Sequence, residues 1–160
     1  MNTEQVKVML RIDCIVWDAL VSILDAHPEE SLHDPASPRW TSRDVYAHLA
    51  RWLNYSSACI EAYCVGKKQP SLEGTPEEMN TRWQQEDSQM SLVDARGKAQ
   101  IAFVHRLGII ESIPPGRWDD NLERMARYDG AEHFASHINY IVVMPEKLGN
   151  SQVKTQKPEP

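Results

Sequence analysis

His133 and His137 stand four residues apart in AEHFASHINYI, an apolar, helix-favouring run over residues 131 to 141. On a helix that spacing puts both imidazoles on one face, one turn apart. His48 lies on a second stripe, Val45, His48, Trp52, Tyr55 and Cys59, whose alternating steps of three and four place it on the inward side of another helix. Arg43, Asn54, Ser57 and Glu61 fall on the opposite side, as expected of a solvated face. A histidine pair at i, i+4 is by itself an ordinary helical feature. Three inward imidazoles on two helices are a stronger signal, because buried ring nitrogens need partners. Neutral imidazoles converging on one point make a divalent-metal site, with zinc about 2.0–2.1 Å from each nitrogen.

Other candidates separate by position. Asp13 sits on the apolar side of its helix between Met9 and Val16, where a carboxylate needs a reason. It is read either as a catalytic base or partner of a ligand histidine, or as a rim residue paired with an Arg of a neighbouring helix. Glu132 is adjacent to His133, but one residue of helix turns it about 100° from the His137 line. Cys59 lies too far along the axis from His48 to share its ion. His105 faces away from the stripe Leu92, Ala99, Phe103 and Ile110, towards surface or a subunit interface, and His27 and His33 flank prolines in a loop. Trp52, Tyr55 and Tyr140 would line a pocket above the metal or belong to the core.

The elements that must position these residues are helices, since no segment alternates with period two. The first is expected over about Thr3 to Ala26, followed by the proline-rich crossover HPEESLHDPASPRW at 27 to 40. The second opens at the cap TSRD, residues 41 to 44, and stops before Gly66. The third opens at TPEE, residues 75 to 78, and runs towards Ser112, with SLVD at 91 to 94 as a possible fresh cap. The fourth is expected as one helix from Asn121 to Met144, ended by Pro145. Four antiparallel helices with one long crossover make an all-α four-helix bundle over residues 1–145. Residues 146–160 read as a disordered tail, dispensable beyond about Lys147. Ile138 and Val142 lie on the far side of the fourth helix, suited either to a homodimer contact or to packing on the first helix.

Composition narrows the functional classes. With 17 Lys and Arg against 23 Asp and Glu and no basic block, neither nucleic acid nor an anionic membrane surface is an expected partner. Glu4, Lys7, Arg11 and Asp13 interrupt any signal-peptide core, and no run is long enough to span a bilayer, so the cytoplasm is the expected location. Cys14, Cys59 and Cys64 lack CxxC spacing and read as small buried hydrophobes or reduced thiols.

WTSRDVYAHLARW at 40 to 52 and AEHFASH at 131 to 137, in this order, resemble the DinB-like superfamily. The likeness covers roughly residues 4 to 145. That superfamily comprises metal-binding four-helix bundles, among them bacillithiol- or mycothiol-linked transferases and the N-terminal domain of mycothiol-dependent maleylpyruvate isomerases. The resemblance implies His48, His133 and His137 as ligands of a divalent metal, zinc foremost and nickel, manganese or iron as alternatives. It also implies a small-molecule substrate, with a low-molecular-weight thiol as the possible co-substrate. The metal-free ClbS/DfsB-type branch shares the W-x-x-x-D and H-x-x-x-W features and offers a second reading, a small-molecule binding or self-protection protein.

Overall fold

Capping chemistry sets where each helix begins. Asn2 with Gln5, Thr41 with Asp44 and Thr75 with Glu78 form reciprocal capping boxes, and Ser91 and Asp119 accept from the amides of Asp94 and Leu122. The computed structural model describes residues 1–28 and 40–142, except the side chains of Tyr140 and Val142. It contains α1 (Thr3–Ala26), α2 (Ser42–Cys64), α3 (Pro76–Glu86), α4 (Leu92–Ser112), a 3-10 turn (Pro115–Arg117), α5 (Asp120–Tyr128) and α6 (Ala131–Val142). Among the described residues there is no strand, so the all-α class holds. The tail beyond Lys147, the stop at Pro145, His33 and most of the crossover lie outside them.

Gly66 ends α2 at φ 67°, with its amide on the Tyr63 carbonyl and that of Lys67 on Ala62. This is the Schellman pattern, and the left-handed backbone is why glycine stands there. The expected third helix is divided into α3 and α4 at the Ser91 cap.

The fourth expected helix is likewise two, which corrects the reading of one run from Asn121. Arg106 of α4 donates to the Ala126 carbonyl, the acceptor that the Gly130 amide would use in an unbroken helix. Gly130 turns instead to Arg127, 3.1 Å away, and the next amide, Ala131, donates to Asp13 of α1 at 2.8 Å. A Cβ on Gly130 would lie 2.6 Å from Asp13 Oδ1, so only glycine admits this approach. Asp13 thus caps the start of α6 from another helix.

α2 packs along α4 and also touches α3 and α5, while α1 lies against α6 and α4. With neighbours on three sides, α2 has little solvated surface, and Ser57, expected outside, is buried. Trp17 of α1 centres the main core: it stacks on Phe103 at 4.3 Å, meets Phe134 edge-on at 5.2 Å and donates to Gln100. Ile138, half-buried, packs against this same core. No helix among the described residues is long and apolar enough to cross a membrane.

Candidate metal centre

The aromatic core that fixes α6 through Phe134 also fixes its two histidines. They face His48, which α2 presents beside the Trp40 ring at 4.7 Å. His133 Nε2 lies 3.1 Å from His48 Nε2 and 3.2 Å from His137 Nε2. All three candidate donor atoms fall within 4.8 Å of one another. Two nitrogens bound to one tetrahedral zinc are roughly 3.3 Å apart, from the usual bond length and angle. The donor set fits a divalent ion on that measure. It also fits chemically, since a cation at the centre takes all three lone pairs, whereas one proton can bridge only one contact between neutral rings.

Behind His133 lies a buried polar chain. Its Nδ1, without a hydrogen bond, is 3.6 Å from Asp129 Oδ1. Asp129 accepts from the Ser56 hydroxyl, and Ser56 Oγ accepts from Arg106 Nε at 3.3 Å. Arg106, 0% exposed, places Nη1 3.7 Å from Asp13 Oδ2. Burial pushes both carboxyls up; the Ala131 amide and Arg106 oppose this at Asp13, and Arg106 and Ser56 oppose it at Asp129.

Burial first, and then the nearby Arg106 cation, pull the His133 imidazole down to about 4. An unfolded histidine titrates near 6.5, so this contribution to stability is fully present above about 6.5 and lost as pH falls towards about 4. In metal-free protein the His133 ring should therefore keep the NMR shifts of its neutral form down to about pH 4. A midpoint near 6.5 would mean that water reaches the ring freely.

In front of the triad opens a cleft of about 480 Å³, lined by His48 and His133 and walled by Trp52, Tyr55, Leu72, Pro76 and Tyr128. Trp52 Nε1 donates to Asn80 Oδ1 at 2.8 Å, and Tyr55 donates to the Pro70 carbonyl. Glu132 lines the cleft and is not one of the three clustered donors. His137 is buried behind the lining. His105 is exposed on α4 and Cys59 is buried outside the cluster.

Asp13, offered by its position as a base or partner of a ligand histidine, or as a rim residue paired with an Arg of a neighbouring helix, accepts from the Ala131 amide and faces Arg106 of α4 at 3.7 Å, the expected Arg pairing at a buried rather than a rim position. The carboxylate facing His133 is Asp129. Asp129, Ser56 and Arg106 were missed by sequence reasoning. Two signals for them exist: the turn-forming Asp-Gly pair at 129–130 and a cation, Arg106, on the inward stripe with Ala99, Phe103 and Ile110.

No family model, curated protein or solved structure matches the chain. The site's own geometry carries the functional reading.

Proposed function

We propose that this protein is a DinB-like four-helix bundle, with α5 and α6 together as its fourth helix, that holds one divalent metal ion and acts enzymatically on a small molecule. The observation behind this reading is the convergence of His48, His133 and His137 Nε2 atoms beside a cleft. Three protein ligands leave coordination positions open, as catalytic rather than structural sites do. Zinc is the first candidate, with nickel, manganese and iron the alternatives. A divalent ion there supplies Lewis acidity and lowers the pKa of a water or thiol within reach. The proposed reactions are hydrolysis or transfer of a low-molecular-weight thiol.

The chain's own residues supply the rest. Trp52, Tyr55 and Tyr128 offer flat apolar walls that displace water from a bound molecule. Asn80, whose carbonyl oxygen is held by Trp52, keeps its amide for orienting a polar group. Glu132, exposed on the cleft, is placed to move a proton. Asp13 takes a positioning role by anchoring the start of the helix that carries two ligands.

Protein purified without a histidine tag should contain one divalent ion per chain by elemental analysis. The visible spectrum of cobalt-substituted protein should then shift on adding azide or a small thiol, because these enter open positions. A metal-loaded protein whose cobalt spectrum ignores every added ligand would have a closed, non-catalytic site. A chain that takes up no metal would move the reading to a metal-free binding protein of the ClbS/DfsB type.

A further inference from the structure

We infer that Asp129 is a positioning residue for the metal centre: its carboxylate holds His133 in the Nδ1–H tautomer, which keeps the Nε2 lone pair aimed at the ion. This rests on the metal reading above. The geometry has three parts. His133 Nδ1 is buried with no hydrogen bond in the metal-free arrangement, and the nearest ion-pair oxygen is Asp129 Oδ1 at 3.6 Å. A small rotation of the ring would bring that separation within hydrogen-bond reach, with or without an ion. Asp129 is itself oriented, since Ser56 donates to it and is tied in turn to Arg106. The supporting chain therefore runs from α4 through α2 to the α5–α6 junction and on to the ligand.

Charge gives an independent argument. The buried cluster holds one guanidinium, Arg106, shared by two carboxylates; Asp13 has the Ala131 amide and the Arg127 cation besides, which leaves Asp129 the less compensated of the two. An uncompensated buried charge is costly. A dication on the histidines beyond Asp129 balances it, and through His133 the carboxylate makes the imidazole a better donor. The break between α5 and α6 gains a functional reason from this. An unbroken helix would carry residue 129 on one continuous face with 133, whereas the turn at Asp129 and Gly130 sets the carboxylate among Ser56, Arg106 and His133 together.

The test compares wild type with Asp129→Ala and Asp129→Asn. Zinc affinity is read by competition with a coloured chelator, folding by circular dichroism, and the His133 tautomer by long-range nitrogen–proton NMR on zinc-free protein. Asp129→Ala is expected to weaken zinc binding by about 10–100-fold and to leave His133 in mixed tautomers. Asp129→Asn keeps an acceptor oxygen without the charge, so it should preserve the tautomer and lose about tenfold in affinity. A purely structural Asp129 would lower the melting temperature in both variants and leave the tautomer alone. Wild-type His133 carrying its proton on Nε2, or unchanged zinc affinity in the folded variants, would overturn the inference. If Asp129→Ala does not fold, the asparagine variant decides alone, and unchanged affinity there overturns it. Failure of wild type to bind any metal would remove the metal reading, while the tautomer in zinc-free protein would still decide whether Asp129 orients His133.

Discussion

Replacing His137 with alanine should weaken divalent-metal binding by roughly 10²–10³-fold. The magnitude follows from structural zinc sites, where about 10–16 kcal/mol spread over four ligands gives ~2.5–4 kcal/mol for each, and each ~1.4 kcal/mol is a factor of ten. His137 is the most informative of the three positions. It is buried and does not line the cleft, so its loss removes a ligand without reshaping the walls. His105→Ala is the matched control, a histidine exposed on α4, and should bind metal as wild type does. His133→Ala separates the ligand sets, because full occupancy in that variant would transfer the ligand role to Glu132. Equal affinity in His137→Ala and His105→Ala would end the triad reading outright.

Arg106→Leu should cost about 3–5 kcal/mol of folding stability, the usual result of removing one member of a buried charge cluster. That is a large part of the ~5–15 kcal/mol that holds an ordinary domain folded. Leucine keeps apolar volume, but Asp13 and Asp129 lose the guanidinium that faces both, and the Ala126 carbonyl loses its donor. The pH dependence has a definite sign. Both carboxyls already stand above their unfolded values, and removing Arg106 raises them further. A raised carboxyl adds stability below its unfolded value, near 4, and loses that contribution as pH rises through its folded value. The defect should therefore be largest near pH 7 and shrink towards pH 4, by urea denaturation at both values. A loss under ~1 kcal/mol at pH 7 would contradict a buried charge cluster.

The histidine triad was legible because helical periodicity is a local property and each histidine falls on the inward stripe of its own helix. Capping residues were legible for the same reason: Thr41, Thr75 and Ser91 act on amides three residues away. What escaped depends on contacts distant in the chain. Nothing near residue 130 announces that Asp13 will take the Ala131 amide across 118 residues, or that Arg106 will take the Ala126 carbonyl. A window of helix-favouring residues therefore reads as one helix when tertiary partners make it two. Asp13 was noticed for the right anomaly, a carboxylate on an apolar face, and its pairing with an Arg of a neighbouring helix was among the readings, whereas its hold on the Ala131 amide was not. Ser57 was misplaced because the two-faced picture of a surface helix fails for α2, which has α3, α4 and α5 around it.

His48 and His133 are 85 residues apart in the chain. An ion shared between them turns that stretch into a closed loop, in the way a disulfide would. Chain entropy puts the closure of so long a loop at about 4.5 kcal/mol, removed in advance from the unfolded ensemble for as long as the ion stays bound. Such an ion would work as a removable cross-link between α2 and α6. Its exchange with a chelator would switch the same polypeptide between a tethered and an untethered thread, a topological change made without breaking a covalent bond.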